Sequence, residues 1–324
     1  MQLEKPAKSF FPAGNSPPLS PKVKSEPHDG GNMATADIAQ AIAAGEVYII
    51  AEIGQNHQGS LEHAKKLIAI AAESGVNAVK SQKRHTRTLL TDEEYDRPYD
   101  SPNAFAKTYG LHRDALELSV EQHTELKEYA ESLGIAYFVS PWDPVSSAQM
   151  SEVGMPIFKI ASASITDEET VRAACKSGKP VIISTGMSTE EQIEMCVNWL
   201  RDEGVEHRYI LHCTSTYPSE FEELNLNYIN SLADKFPDCV IGFSGHHKGI
   251  AMDIAATAMG AKIIERHFTL DRTQKGGDHA ASLEPSGLSK LVRDIRAYES
   301  AIGDGIKKIY DGEKPMIAKL RRVK

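Results

Sequence analysis

Cysteine is scarce. Cys175, Cys196, Cys213 and Cys239 are scattered over 324 residues with no CxxC spacing, which argues against a disulfide framework or a cysteine-built zinc site. Most fall in or beside apolar segments, so buried reduced thiols and a cytoplasmic location are expected. No apolar run approaches the roughly 20 residues of a membrane span, and the N-terminus lacks a signal-peptide core. Positive charge is not in excess either: the net charge is −9 and the pI about 5.8. The whole molecule therefore offers no attraction to nucleic acid or anionic membranes, and an anionic small molecule would need a local group of Lys and Arg.

Residues 1–40 differ from the rest. Six of the 16 prolines lie in the first 30 residues, among Ser, Gly and Lys, with no apolar periodicity. Such a composition buries too little surface to offset chain entropy, so a disordered tail is expected. Val23-Lys24-Ser25-Glu26 fits a short modification consensus, a pattern common by chance.

From residue 46 short β-rich runs alternate with amphipathic segments. Strands are predicted at 47–54, 77–83, 136–142, 156–162, 180–186, 208–214, 240–246 and 263–269. Helices are predicted at 61–74, 119–133, 144–153, 167–177, 189–203, 224–236, 249–259 and 286–302. Gly75, Gly134, Gly154, Gly178, Gly204, Gly260 and Gly303 stand where helices end. Eight such units predict a TIM (β/α)8 barrel over 41–310, with 311–324 as an extension or linker. Periodicity alone also allows an open doubly wound sheet, although no GxGxxG follows the first strand.

In a barrel, chemistry gathers at the C-terminal strand ends. Glu265 and His267 lie two residues apart on the last strand and so point the same way, and Asp278 and His279 follow on the next loop. Other strand ends carry Glu52, Asn56 and His57; Lys80 and Gln82; Ser140; Lys159 and Ser162; Ser184; residues 212–217; and Ser244, His246 and His247. Lysine within a strand is costly to bury unless it meets an anion. Lys80 and Lys159, with their neighbouring hydroxyls, predict a pocket for a phosphate and a carboxylate.

Ala51-Glu52-Ile53-Gly54-Gln55-Asn56-His57, Val79-Lys80-Ser81-Gln82, Phe158-Lys159-Ile160-Ala161-Ser162 and Ser184-Thr185-Gly186-Met187 occur in that order. Leu211-His212-Cys213-Thr214-Ser215-Thr216-Tyr217-Pro218, Gly242-Phe243-Ser244-Gly245-His246 and Glu265-Arg266-His267-Phe268-Thr269 follow. Together, over about residues 46–320, they resemble the sialic acid synthase family, which condenses phosphoenolpyruvate (PEP) with N-acetylmannosamine or its 6-phosphate. Arg97-Pro98-Tyr99, Lys107-Thr108-Tyr109-Gly110 and His112 most resemble the animal-type enzymes.

The resemblance implies attack of PEP C3 on an open-chain sugar aldehyde, with release of phosphate. It implies a divalent metal on His246 and His267, manganese foremost, with magnesium or cobalt as alternatives. It further implies PEP on Lys80, Gln82, Ser140, Lys159, Ser162 and Ser184. Glu52, Tyr217, Glu265 and Asp278 would contact the sugar or move protons. A homodimer is also expected. Family members commonly add a C-terminal antifreeze-like domain that lends an arginine to the partner's site. Residues 313–324 fall where its linker would begin, so weak discrimination of the acyl group is expected. Another departure is Ser81, where a bulkier residue is usual, with looser packing the expected result.

Plainer roles stand beside these. His57 is expected to tie down the first loop, His212 to be a core residue and His247 to point into solvent. Glu52 and Lys80 could be a structural ion pair across adjacent strands. Alternatives for the whole chain are a PEP-dependent synthase with another acceptor (mannose 6-phosphate or a diacetamido sugar) and a non-catalytic metabolite-binding barrel. The stretch 89–118 is long enough to shape an acceptor pocket.

Overall fold

A computed structural model describes residues 36–323 of the chain. Residues 1–35, which hold most of the expected tail and the 23–26 pattern, lie outside the described residues. The apolar runs form eight strands: β1 (Tyr48–Gly54), β2 (Ala78–Lys83), β3 (Ala136–Pro141), β4 (Phe158–Ile160), β5 (Val181–Ser184), β6 (Arg208–Cys213), β7 (Val240–Gly245) and β8 (Ile263–His267). Each pairs in parallel with its sequence neighbour, and β8 pairs back onto β1. The sheet is closed. The open-sheet alternative is thereby removed, and the architecture is a TIM-type barrel.

The helices begin with α1 (Ile38–Ala43) and α2 (Leu61–Glu73). A long excursion after β2 carries α3 (Thr86–Leu89), α4 (Asp92–Asp96) and α5 (Tyr109–Asp114). Then come α6 (Val120–Ser132), α7 (Pro144–Glu152), α8 (Glu168–Cys175), α9 (Glu190–Asp202), α10 (Tyr228–Lys235), α11 (Ala251–Ala258), α12 (Pro285–Ala301) and α13 (Lys314–Leu320). Starts are set by Ser60, Ser119, Asp143, Asp167 and Thr189, whose side chains accept N–H bonds from the first turn. All seven glycines expected to end helices have positive φ.

Two layers of apolar side chains result. Outward-facing strand residues such as Ile49, Val79, Val139, Ile183 and Ile264 pack under the helices. Inward-facing Tyr48, Ile50, Ala78, Phe138, Ile157, Ile182, Leu211 and Ile263 fill the lower barrel. Gly242 makes room for this filling, since a Cβ there would lie 2.5 Å from the Leu211 side chain and 2.6 Å from the Ile263 carbonyl. Ile38 and Ala41 of α1 join the same cluster at the N-terminal end of the strands, and the Tyr48 hydroxyl donates to the Ala36 carbonyl at 2.7 Å. The boundary drawn at residue 40 thus falls inside a helix that packs on the barrel.

Ser81 does not leave a gap. Its fully buried hydroxyl meets the Tyr137 hydroxyl at 2.6 Å, and Tyr137 in turn meets His123 Nδ1 at 2.9 Å. After α12 the side chains of residues 303–315 are exposed.

Candidate active site

Two residues beyond the apolar filling, the same inward rows turn polar. Ile50 is followed by Glu52, Ala78 by Lys80, Phe138 by Ser140, Ile157 by Lys159, Ile182 by Ser184 and Ile263 by Glu265. Strand register then brings these side chains together. Glu52 pairs with Lys80 on one side and His267 on the other, Gln82 with Ser140, and Ser244 with Glu265. They surround a cavity of about 260 Å³ at the C-terminal mouth. All twelve residues expected to form the site line it: Glu52, Lys80, Gln82, Ser140, Lys159, Ser162, Ser184, Tyr217, His246, Glu265, His267 and Asp278.

One wall is cationic. Lys80 contacts the Glu52 carboxylate, lies 3.8 Å from Glu265 and donates to the Ser140 hydroxyl at 3.0 Å. The structural pairing of Glu52 with Lys80 is therefore present, within the site. Lys159 Nζ lies 3.8 Å from the other Glu265 oxygen, which also accepts from Ser244 at 3.0 Å. Burial opposes ionisation of Glu265, but Lys159 and Lys80 overcome it and hold the carboxyl at about 2. Burial likewise opposes the charge on Lys80, yet Glu265 and Glu52 raise it above the usual lysine value. Lys159 is lowered, by burial first and by Lys80 among its neighbours.

Several buried atoms here make no hydrogen bond: Ser184 Oγ, one Glu265 oxygen and His267 Nδ1. Native interiors seldom waste such capacity, so it marks where a ligand would bond. Ser162 is held in place by an N–H bond from Gly186 at 3.1 Å.

The opposite wall carries the two imidazoles. The His246 and His267 ring centres are 5.3 Å apart, and Tyr217 stacks against His246 at 4.2 Å. His246 Nδ1 lies 2.8 Å from the Thr214 carbonyl, a partner that fixes the proton there and leaves Nε2 with its lone pair. His267 Nδ1 has no partner but lies 4.0 Å from an Asp278 oxygen. Two imidazoles with carboxylates beside them suit a divalent ion of intermediate hardness. Among the described residues no group of three His, Cys, Asp or Glu converges on one point. This chain would supply the imidazoles, and the remaining positions would fall to water or substrate.

A second cavity, about 140 Å³, opens beside the first and shares Gln55, Arg113 and Asp278 with it. Tyr99, Asn103, Phe105 and His112 of the long excursion line it, so the stretch 89–118 does shape a pocket. Arg113 donates to Gln55 at 2.9 Å and to the Tyr109 hydroxyl at 2.6 Å. Burial and the neighbouring Arg113 lower His112 to about 4, which keeps it neutral at pH 7.

Gln55, Arg84, Arg113, Trp142 and Met187 also line the cavity and were not anticipated there, while Cys213, Ser215 and Ser244 stood among the chemical strand ends without a role. The period-two rows pointed at Cys213 and Ser244. Arg84, stacked 4.0 Å over the Trp142 ring, gave no sequence signal. His57 and His212 take the plainer roles, His57 accepting from the Gly59 N–H and His212 bonding the Leu224 carbonyl at 2.7 Å. His247 corrects an expectation. It does point away from the cavity, but it is 1 % exposed, because Arg266, Asp253 and Phe243 enclose it.

Similarity to known proteins points to one family. The model of the NeuB family matches residues 67–307. N-acetylneuraminate-9-phosphate synthase of Homo sapiens is 41% identical over 262 residues, covering 81% of this chain and 73% of that protein. N,N'-diacetyllegionaminic acid synthase of Campylobacter jejuni is 40% identical over 277 residues, 85% of this chain and 83% of that protein. Among solved structures, N-acetylneuraminic acid synthetase of Leptospira borgpetersenii, in complex with citrate, superposes with a TM-score of 0.72 at 33% identity. That match covers 86% of this chain and 93% of that one. The chain is an enzyme of the NeuB family, the sialic acid synthases.

Proposed function

We propose that the chain condenses PEP with open-chain N-acetylmannosamine or its 6-phosphate, giving N-acetylneuraminate or its 9-phosphate and inorganic phosphate. The observation that carries this reading is the shared cavity: Lys80 and Lys159 with Ser140, Ser162 and Ser184 on one wall, His246 and His267 on the other. The lysines and hydroxyls suit the phosphate and carboxylate of PEP. The imidazoles suit a divalent ion, for which we propose manganese; when bound, it would act as a Lewis acid on the aldehyde oxygen.

The remaining steps fall to the chain's own groups. PEP held against Lys80 and Lys159 presents C3 toward the acceptor carbon, and the new C–C bond leaves positive charge at C2. Glu265, held ionised beside the two lysines, stabilises that charge and can take a proton from water adding to C2. The alkoxide left by the aldehyde takes up the proton drawn from water, and the C2 hydroxyl's proton leaves with phosphate as the C–O bond breaks, while the lysines balance the departing charge. Glu52, Asp278 and the Tyr217 hydroxyl border the acceptor side and are proposed to orient the sugar.

Because the diacetyllegionaminic acid synthase is as similar as the human enzyme, a diacetamido sugar is the second acceptor to test. The experiment is incubation with PEP, Mn²⁺ and a panel of aldoses: N-acetylmannosamine, its 6-phosphate, mannose 6-phosphate and a diacetamido sugar. Acceptor-dependent phosphate release is expected. Absence of release with every sugar would overturn the proposal. The free cysteines suit the proposed cytoplasmic site of action, and no helix among the described residues is long and apolar enough to cross a membrane.

A further inference from the structure

We propose that Arg266 is a positioning residue that sets the spacing of His246 and His267 from behind the cavity; this rests on the reading of those imidazoles as a metal pair. Along β8 the side chains of Glu265 and His267 enter the barrel, so Arg266 between them leaves it. It is nevertheless 1 % exposed. Its Nη1 donates to Asp253 Oδ2 on α11 at 2.5 Å and to the Gly249 carbonyl at 2.8 Å, and its Nη2 donates to the His247 carbonyl at 2.6 Å. The His247 ring closes the group, with Nε2 3.3 Å from the guanidinium and 3.4 Å from Asp253.

The place of this tether gives it a purpose. The β7–β8 pairing ends at Gly245 with Arg266, so the backbone ladder stops one residue before His246 and His267. Beyond that point β7 is held on the other side, by the Ser219 N–H bond to the His246 carbonyl at 3.1 Å. On the β8 side, the Arg266 fork onto the His247 carbonyl takes over from the ladder. A planar guanidinium can reach two carbonyls and a carboxylate at once, which an ammonium cannot do with the same rigidity.

Simple stabilisation is a poorer account. Arg266 Nε and Asp253 Oδ1 are buried with no hydrogen-bond partner. A buried ion pair with unmade bonds is seldom better than an apolar pair of the same volume. Its geometry, in contrast, reaches the two imidazoles through the chain beside them, from Arg266 next to His267 to the His247 carbonyl next to His246, and contacts made on a metal ligand itself typically govern affinity by about 10–100-fold.

The test replaces the pair together, Arg266→Met with Asp253→Leu, so that no lone charge is buried. Mn²⁺ and PEP are then titrated separately by calorimetry, and folding is followed by circular dichroism. The Mn²⁺ Kd should rise by about tenfold, the lower end of what loss of a contact on a metal ligand itself costs, while the PEP Kd stays within about twofold of the parent. Unchanged Mn²⁺ affinity in the folded double variant would overturn the proposal, as would an equal loss for both ligands, which would mark a general packing role. Should the double variant not fold, Arg266→Lys keeps the charge toward Asp253 but loses the fork, and the same selective loss is required of it. A parent protein that binds no Mn²⁺ would instead sink the metal reading, before any variant is compared.

Discussion

Glu265 stands 3.8 Å from Lys159 across the barrel, for β8 and β4 are not neighbours in the sheet. The contact holds two buried charges in balance with Lys80. An arriving anion would find two cations already in place, with Glu265 beside both and Glu52 against Lys80. Lys159→Met should therefore fold, since Lys80 still partners Glu265, yet it should lose one charged bond to PEP. Such bonds are worth about 1.5–3 kcal/mol, or roughly 10- to 150-fold in Kd. Calorimetric titration of PEP checks this, and an unchanged Kd would remove Lys159 from the donor site.

His246→Ala and His267→Ala should each strip most of the bound divalent ion. Losing a ligand should cost more than losing an outer contact, so a fall of about 100-fold or more in Mn²⁺ affinity is expected. Metal content after desalting and Mn²⁺ titration are the measurements. Full occupancy in both variants would end the assignment.

Gly186→Ala separates stability from function. A Cβ at this position would lie 2.1 Å from Ser215 Oγ and 2.9 Å from Ser162 Oγ. Both hydroxyls can rotate away, while the Ser215 Cβ at 3.1 Å must give by a few tenths of an ångström, so the melting temperature should fall by about 2–4 °C. The displaced Ser162 hydroxyl is a candidate PEP contact, and KM for PEP should rise by about tenfold, the cost of one ordinary hydrogen bond. A large loss of stability with normal KM would contradict this account of the glycine.

His123 makes stability depend on pH. Burial lowers its pKa from the usual 6.5 to about 3. The unfolded chain therefore binds a proton below 6.5 that the folded chain refuses until about 3. This contribution is complete above pH 6.5 and is lost progressively as pH falls from 6.5 toward 3, at up to about 1.4 kcal/mol per pH unit. His123→Phe should flatten the fall in urea midpoint between pH 6.5 and 4 by that amount, although it also leaves Tyr137 one bond short. An unchanged slope would mean that His123 is protonated in the folded state.

Much of this was legible in sequence because barrel strands combine two strong signals. Apolar β-branched runs bounded by Gly or Pro located all eight strands to within a few residues. The switch from Ile50 to Glu52, or Ile157 to Lys159, marked which end was chemical. What escaped was non-periodic or partner-dependent. Helix α1 is six residues long beside a polar tail, and α3, α4 and α5 are no longer, too short to show a face. His247 read as a solvent residue because its partners Asp253 and Arg266 lie on a separate helix and strand. Arg113 and Arg84 come from an excursion whose path no local pattern dictates.

The small helix α1 has a kinetic consequence. Among the described residues, Ile38 and Ala41 close the N-terminal end and apolar side chains fill the lower barrel, so the cavity opens at the C-terminal mouth. Lys80 and Lys159 are buried there, 4 % and 2 % exposed, and the second cavity opens beside the first. On the proposed function this predicts an ordered reaction, with PEP entering before the sugar and phosphate leaving last, and product-inhibition kinetics check it.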